Sequence, residues 1–358
     1  MSGPLESALR TSQLWLKTST KRMAFKRLSK EIVETGVCTE CGACVGNCPV
    51  NALTGEVSQG RYVPTLTGEC ISCGICYTVC PRTYSLWSEL VGPFRSAWKV
   101  KSKTEGPRQD GGAVTAFLSF LLDTAAIDAA VVARRDTKGG PPRAVTVRTA
   151  QEARESGGSV YSHIPVVEQA VRAFKEGHRA IAVVGTSCSL DALHKMETHP
   201  AGLLQVEPRF SVFKIGLFCM ESFVHKGLMD YLQERGIDIR QVKKWAITKG
   251  MFQVQVDEGV QEWPVSELSP VAASSCSYCH DFTCMNADIS CGSVGSEDGW
   301  TTVLVRSARG ECLLQGALAA GSIEAQMLDE KEMRTIETVA RSKAMRTYTL
   351  RRYDGAVD

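Results

Sequence analysis

Residues 38–49 read Cys38-Thr-Glu-Cys41-Gly-Ala-Cys44-Val-Gly-Asn-Cys48-Pro49, and residues 70–81 repeat this spacing from Cys70 to Pro81. Four cysteines in such a run are typical of segments that hold two [4Fe–4S] clusters, because three close thiolates hold one cube while the fourth reaches the other. Zinc sites use separated cysteine pairs instead, and a disulfide scaffold is the other alternative. We therefore predict two crosswise ligand sets: Cys38, Cys41, Cys44 and Cys80 for one cluster, and Cys70, Cys73, Cys76 and Cys48 for the other.

The cysteine-rich segment is a minor part of a chain of 358 residues. We expect a small α+β domain like a bacterial ferredoxin over residues 35–85, with residues 61–65 as a short strand. Residues 1–34 are expected to form a basic arm that is solvated or docks on an acidic partner or an anionic membrane face. Residues 326–358 are expected to form a basic, solvated or partner-facing tail.

Composition limits the compartment and the class of partner. Eight predicted cluster ligands require a reducing environment, which indicates a cytoplasmic protein. The most apolar stretch, residues 116–133, is interrupted by Asp123 and Asp128, which argues against a membrane span. We expect a cytoplasmic protein, at most peripheral on the cytoplasmic face of a membrane complex. The formal net charge of +2 indicates no class of partner, and we predict no nucleic-acid binding.

Residues 91–325 show alternating helix and strand patterns, which predict a second domain of the α/β class with a mainly parallel sheet. A hairpin is expected near residues 243–265. No G-x-G-x-x-G motif follows a predicted strand, so a flavin domain here would be of a non-Rossmann type. The predicted helices are 113–122, 166–175 and 223–234, and the predicted strands are 128–133, 180–184 and 212–218.

Small-residue loops stand between these elements and are the candidate cofactor contacts. Exposed backbone N–H groups beside helix N-termini suit a pyrophosphate and the carbonyls of an isoalloxazine ring. Each loop taken alone has the composition of an ordinary turn. The candidate residues are Gln109, Asp110, Gly111, Gly112, Ser159, Tyr161, Gly185, Thr186, Ser187, Gly292, Ser293, Val294, Gly295 and Trp300.

Four further cysteines could hold a third [4Fe–4S] cluster. Cys188 and Cys219 each follow the carboxyl end of a predicted strand, where open α/β sheets place ligands. Cys276 and Cys279 form a C-x-x-C pair that could supply the other two thiolates. A zinc site, or buried thiols that pack as small apolar groups, are the alternatives. Cys284 and Cys291 could substitute as ligands, whereas Cys312 is expected in the core.

The pair Cys276-x-x-Cys279-His280 also matches the pattern for covalent haem attachment. Haem is attached outside the cytoplasm, and the chain shows no export signal, so we reject this interpretation. His280 is then either a hydrogen-bond donor near a metal site or an incidental surface residue.

From Val91 to Glu324 the sequence resembles the beta-subunit family of coenzyme F420-reducing hydrogenases and dehydrogenases. With its paired cluster motifs, the overall plan looks most like the F420-input subunit of F420-dependent quinone or methanophenazine dehydrogenase complexes. The stretches that carry the resemblance are Gln109–Gly112, Val184–Cys188, Gly216–Glu221, Cys276–Asp281 and Ala287–Trp300.

This resemblance implies FAD in the large domain, a [4Fe–4S] cluster on Cys188, Cys219, Cys276 and Cys279, and coenzyme F420 as substrate. Reduced F420 gives up a hydride and cubane clusters carry single electrons, so a flavin must stand between them. The electrons would leave for a partner subunit or a ferredoxin. No catalytic acid or base is expected. The cations expected to receive the phosphate and glutamate tail of F420 are Lys101, Lys103, Arg108, Arg134 and Arg135.

Two residues depart from the family pattern. Val160 replaces a common Lys or Arg, and Ser187 replaces the proline of a Gly-Thr-Pro-Cys motif. Because of these two departures, an alternative function remains: a non-catalytic, iron–sulfur electron-wiring subunit whose flavin site is degenerate. A second alternative is a relative that reduces another substrate with ferredoxin electrons, since the family also resembles hydroxymethyl-chlorophyll reductases.

Overall fold

The computed structural model describes residues 25–58, 61–84, 87–104, 106, 108–136 and 140–346. Internal contacts divide the chain into two compact units. The cluster unit contains the chain through Leu90 and the residues from Arg341 on, and the large unit is Val91–Ala340. Most of the predicted basic arm, residues 1–24, lies outside the described residues.

The cluster unit is built from one antiparallel hairpin and several single-turn helices. Strand β2 confirms the predicted strand, and its partner β1, with Leu53 opposite Leu66, was missed by the sequence analysis. A π-helical turn, Ser29–Val33, continues the first helix. The elements are α1 (Phe25–Leu28), α2 (Ala43–Gly46), β1 (Leu53–Ser58), β2 (Arg61–Leu66), α3 (Ile75–Thr78) and α4 (Trp87–Leu90).

The last part of the predicted arm is packed, not solvated. Phe25, Leu28 and Ile32 recur at helical spacing and are 5%, 2% and 1% exposed. They share an apolar core with Cys76 and Tyr77. The expectation of a solvated arm is therefore wrong for this apolar stripe, which packs on the cysteine-rich segment, whereas Lys26, Arg27 and Lys30 are exposed.

The large unit contains an eight-stranded mixed sheet with a parallel centre. Four neighbouring strands at its centre run in the same direction, whereas the remaining pairings are antiparallel. In spatial order the strands are β13 (Ile323–Met327), β3 (Ser96–Ser102), β12 (Thr301–Val305), β11 (Ile289–Gly292), β7 (Ser211–Leu217), β6 (Ala180–Thr186), β4 (Ala129–Arg134) and β5 (Arg143–Val147).

Helices cover both faces of this sheet. Successive residues of a strand point to opposite faces, so Ala130 and Val132 join the apolar core on one side and Ala129 and Val131 join the core on the other. The helices are α5 (Ala113–Asp123), α6 (Ala150–Glu155), α7 (Val166–Lys175), α8 (Ser187–Thr198), α9 (Leu203–Val206), α10 (His225–Gln233), α11 (Ala308–Ala319) and α12 (Glu330–Arg346).

Within the predicted tail, Glu330–Arg346 form a helix with buried basic residues, and residues 347–358 lie outside the described residues. The division between the two units falls within α12, after Ala340. In the cluster unit, Arg341 and Lys343 are 7% and 2% exposed, and Arg341 donates a hydrogen bond to the Tyr84 carbonyl. The expectation of a solvated basic tail is wrong for these residues.

A second sheet stands where a hairpin was expected. Strands β8 (Lys244–Thr248), β9 (Met251–Val256) and β10 (Gly259–Pro264) form three antiparallel strands in the order β10-β9-β8. Phe252 and Val254 are fully buried in its core. Short 3-10 turns follow at Val265–Val271 and Ser274–Tyr278.

The parallel strands end at a common border of the large sheet, which we call the carboxyl edge. Strands β4, β6, β7 and β11 end there because they are parallel neighbours, and β3 ends there because two antiparallel steps separate it from β11. Ligands of open α/β sheets bind at such edges. Within the described ranges, no helix combines the length and apolarity needed to cross a bilayer.

Candidate cofactor sites

A cavity in the cluster unit is lined by Cys38, Cys41, Cys44 and Cys80. Gly42 enables the first turn around it by adopting φ +71° at the start of α2. The backbone N–H of Glu40 donates to Cys38 Sγ over 3.4 Å. Burial raises the pKa of the Cys44 thiol to about 11.

A second cavity is lined by Cys48, Cys70, Cys73 and Cys76. The N–H of Ala52 donates to Cys48 Sγ over 3.2 Å, and burial raises the pKa of Cys76 to about 12. Each cavity thus draws three cysteines from one motif and one from the other, which are the two sets that the spacing predicts. Iron binding by these sets stays a prediction.

Four separate thiol groups line each of the two cavities. Among the described residues, which include all fifteen cysteines, no disulfide forms and no three His, Cys, Asp or Glu side chains converge as around one metal ion. A cubane presents a separate iron to each thiolate, so its four ligands stand apart around a cavity.

The third cysteine group gathers at the carboxyl edge. Cys188 lies in the first turn of α8, directly after β6, and Cys219 follows β7. The Cys219 N–H donates to the Phe282 carbonyl over 2.9 Å, which brings it beside the segment that contains Cys279. Cys276 lies in the 3-10 turn, and its Sγ accepts a hydrogen bond from the Ser222 N–H over 3.3 Å.

His163, to which no sequence motif pointed, also lies at this group. Its Nε2 is 3.7 Å from Cys276 Sγ, and the ring also hydrogen-bonds Cys188. The hydrogen bond to Cys188 raises the pKa of His163 to about 10, and the same contact lowers the pKa of Cys188 to about 7. His163 stands far from every cysteine in the sequence, so no motif pointed to it.

Three other cysteines are placed for packing or exposure. Cys284 is fully buried, and its Sγ lies 3.1 Å from the Leu217 carbonyl and 3.3 Å from Ser187 Oγ. Cys291 is buried within β11. Cys312, expected in the core, is exposed, because the buried stripe of α11 is formed by Gly310, Leu313, Leu314 and Ala317.

The loop Gln109–Gly112 connects β3 to α5 at the carboxyl edge. Gln109 Nε2 donates to the Trp245 carbonyl over 3.0 Å, while its Oε1 is buried without a hydrogen-bond partner among the described residues. Lys244 Nζ donates to the Gln109 carbonyl over 2.5 Å. A buried amide oxygen without a partner is costly, so Oε1 is suited to accept a donor from a bound group.

Gly111 and Gly112 serve different purposes in that loop. A Cβ on Gly111 would lie 2.3 Å from the Val100 carbonyl oxygen and 2.6 Å from the Thr301 nitrogen, so the loop runs against two strands. Gly112 has φ +76° and starts α5 with no side-chain cap. The first N–H groups of α5 therefore remain available to an anionic group.

The remaining predicted loops reach the carboxyl edge, but several side chains there have structural partners. Ser187 Oγ donates to the Asp281 carbonyl over 2.9 Å. Tyr161 Oη accepts from the Ile247 N–H over 3.0 Å, and its ring packs on Trp245. Trp245 Nε1 donates to the Ser159 carbonyl over 2.8 Å. Tyr161 thus belongs to the core of the small sheet.

The loop after β11 is fixed by close packing and an ion-pair network. A Cβ on Gly292 would lie 2.3 Å from the Phe218 ring, and Gly295 has φ +106°. Lys99 Nζ lies 3.1 Å from Glu297 and 3.0 Å from Glu332. The same ammonium stands 6.0 Å from the Trp300 ring centroid. Ser293 and Val294, between the two glycines, remain candidate contacts.

The candidate cations divide into two groups. Lys101, Lys103 and Arg108 are exposed near the carboxyl edge. Arg134 donates to Ser156 Oγ over 2.9 Å, and Arg135 donates to the Lys243 carbonyl over 3.0 Å. The two arginines therefore have structural partners already.

The sequence matches three protein-family models. Two of them describe the beta subunit of coenzyme F420 hydrogenase/dehydrogenase: the model of its N-terminal part matches residues 95–170, and the model of its C-terminal part matches residues 178–331. The third, "4Fe-4S dicluster domain", matches residues 37–84. The first two models cover most of the large unit, and the third covers both cysteine motifs.

Individual proteins agree with these matches. One component of the F(420)H(2) dehydrogenase of Methanosarcina mazei is 32% identical over 78% of this chain and 82% of that protein. "Coenzyme F420-dependent sulfite reductase" of Methanocaldococcus jannaschii is 34% identical over 78% of this chain but only 46% of that protein. One chain of the F420-reducing [NiFe] hydrogenase complex from Methanosarcina barkeri superposes with a TM-score of 0.67 at 30% identity, covering 72% of this chain and 91% of that chain.

Proposed function

This chain belongs to the coenzyme F420 hydrogenase/dehydrogenase beta-subunit family, and we propose that it takes a hydride from reduced coenzyme F420 onto FAD. Single electrons would then pass through [4Fe–4S] clusters to a partner subunit or a ferredoxin. The relatives support this proposal, because their names describe F420-dependent hydrogenases, dehydrogenases and reductases or their subunits.

The observation that carries the proposal is the meeting of two kinds of site at the carboxyl edge. The glycine loops and the third cysteine group come from distant parts of the chain, and the ends of β3, β6, β7 and β11 bring them to the same border. A cofactor held by the loops would therefore lie on the side of the sheet that carries Cys188 and Cys219.

The residues present fit a flavin. A bound flavin accepts a hydride and releases its two electrons singly, which is the conversion that this pathway requires. Gln109 Oε1 would accept a hydrogen bond from the bound group, and the uncapped N–H groups at the start of α5 would face its pyrophosphate. Gly111 lets the loop approach the strands closely enough to hold that position.

Two lysines are the proposed contacts for the anionic tail of F420. Lys101 and Lys103 are exposed at the end of β3, on the edge that carries the glycine loops. We assign the tail to them because Arg134 and Arg135 are committed to Ser156 and to the Lys243 carbonyl. Flexible ammonium groups suit the binding of phosphate and carboxylate as point charges.

The test begins with anaerobic purification and measurement of FAD and iron. Reduced F420 is then mixed with the protein, and flavin bleaching is followed by stopped flow. We expect one FAD, about twelve irons from three cubanes, and bleaching followed by cluster reduction. Gln109→Leu should lower FAD content, whereas Gln151→Leu, which alters an exposed contact to Glu155, should leave FAD content unchanged.

Other outcomes select the alternatives. Bound FAD that reduced F420 never bleaches would contradict F420 as the substrate and favour a reductase that takes ferredoxin electrons. Iron and sulfide without any flavin would contradict the enzyme and favour an electron-wiring subunit. An iron content of about eight per protein would show that the third cluster is absent, and it would not contradict the flavin reaction.

A further inference from the structure

The side chain of His163 lies between two thiols of the third cysteine group. Its Nε2 is 3.7 Å from Cys276 Sγ, and the imidazole also hydrogen-bonds Cys188. These two cysteines are far apart in the sequence. One imidazole therefore contacts two of the four predicted ligands of the third cluster.

The position of His163 is fixed by the residue two places before it. The Tyr161 carbonyl accepts a hydrogen bond from the Phe223 N–H over 2.7 Å, and the Tyr161 hydroxyl accepts one from the Ile247 N–H over 3.0 Å. The ring of Tyr161 also packs edge-on against Phe252. The loop that carries His163 is thus tied to the segment after Cys219 and to the small sheet.

We propose that His163 is a positioning residue that donates N–H hydrogen bonds to the thiolates of the third cluster and so raises its reduction potential. The inference rests on the third cluster of the proposed function. Four cysteines already supply the four thiolates of a cubane, so the imidazole is a donor to sulfur and not a ligand of iron. Reduction adds negative charge to the cluster and its sulfurs, and a donor stabilises that charge.

The test compares three variants of the holoprotein. His163→Leu removes the donor, His163→Gln keeps an N–H donor on a side chain of similar reach, and His199→Leu is the control because His199 is exposed and follows the C-terminal end of α8, whereas Cys188 lies at its start. Iron content is measured first, and the third cluster is then titrated by EPR at fixed solution potentials. The signal of the third cluster is the one that Cys276→Ser abolishes.

We expect about twelve irons in the parent protein and in all three histidine variants. At one fixed potential, His163→Leu should lower the ratio of reduced to oxidised third cluster about tenfold, the size of one hydrogen bond to a charged group. His163→Gln should restore most of that ratio, and His199→Leu should leave it unchanged.

Three results would overturn the inference. If His163→Leu retained about twelve irons and the ratio of reduced to oxidised third cluster did not change, His163 would have no such role, and the proposed function would not be affected. A loss of about four irons in His163→Leu and His163→Gln would make the imidazole a ligand instead of a donor. About eight irons in the parent protein would refute the third cluster, and this role with it.

Discussion

The two cysteine groups of this protein are assembled in opposite ways. In the cluster unit, eight cysteines lie between Cys38 and Cys80, and short turns with glycines at the helix starts are enough to surround two cavities. At the carboxyl edge, Cys188 and Cys219 follow the neighbouring parallel strands β6 and β7, and a distant segment brings Cys276 and Cys279 beside them. Local spacing creates the first arrangement, and sheet topology creates the second.

This difference determines what a change in sequence should do. In the cluster unit, the consequences of removing a thiol depend on which cavity it lines. At the carboxyl edge, they depend on whether strands and loops keep their close approach. Changes to ligands should therefore have their largest effects in the cluster unit, and changes to small residues should have theirs in the large unit.

The largest expected effect comes from removing two cysteines at once. Cys44→Ala with Cys80→Ala removes two ligands from one cavity, so we expect a loss of about four irons. Cys44→Ala with Cys48→Ala removes one ligand from each cavity, so we expect a loss of up to about eight irons. Iron analysis after anaerobic purification distinguishes the pairs. A larger iron loss from Cys44→Ala with Cys80→Ala than from Cys44→Ala with Cys48→Ala would show that each motif holds its own cluster.

A steric change at the carboxyl edge should have the next largest effect. Gly111→Ala places a methyl group 2.3 Å from the Val100 oxygen, and we expect it to lower the free energy of unfolding by about 3 kcal/mol and to reduce FAD content. Gly158→Ala is the matched control, since Gly158 has φ +105° and open space around it, and should cost about 1–2 kcal/mol. If denaturant titrations showed that both variants lower the free energy of unfolding equally, this would contradict the close approach of Gly111 to Val100 and Thr301.

A smaller effect is expected from the packed end of α12. Arg341→Ala removes a buried guanidinium that bonds the Tyr84 carbonyl and lies 6.0 Å from the Tyr77 ring centroid. We expect a loss of about 1–3 kcal/mol, seen as earlier iron release in denaturant. Arg334→Ala, on the same helix, removes an exposed ion pair with Glu330 and should cost under about 1 kcal/mol. Identical release curves would refute a role for Arg341 in the cluster unit.

The smallest expected effect is a pH dependence at Asp110. Burial raises the pKa of this carboxyl above its ordinary 3.8, partly opposed by Lys244, so the folded state holds the proton more tightly than the unfolded state. Its contribution to stability then falls as the pH rises through the raised pKa. Asp110→Asn should therefore be more stable than the parent protein at pH 7.

The stability advantage of Asp110→Asn should shrink as the pH approaches 3.8, because the parent carboxyl is then protonated as well. Thermal unfolding across this pH range measures it. Asp230→Asn, which removes an exposed pair with Lys226, is the control and should show no such trend. An advantage that is constant with pH would argue against the buried carboxyl as its source.

Periodicity in the sequence predicted the elements that depend on local order. Helix α7 begins and ends where the 3.6-residue pattern placed it, and β4, β6 and β7 differ from prediction by one or two residues at an end. The third strand of the small sheet was missed, because β10 is exposed along nearly all of its length and its residues show no regular apolar pattern. An exposed edge strand lacks the apolar signal on which such predictions rest.

The candidate sites show the same limit. Spacing predicted the cysteines around each cavity of the cluster unit, whereas His163 and Lys244 were invisible because their partners are distant in sequence. The buried Arg341 and Lys343 were predicted to be solvated, since charge alone suggests exposure. Only tertiary packing reveals that a basic residue has become part of a core.

The crosswise sharing of cysteines also has a consequence for assembly. Cys48 and Cys80 each belong to one motif and line the cavity of the other, so neither motif can close around its cavity until the other has folded beside it. Metal binding and folding are coupled when the unfolded chain has no preformed site. Insertion of either cluster should therefore draw both motifs together and leave the ligands of the other cavity in place, so the second cluster should bind more readily than the first.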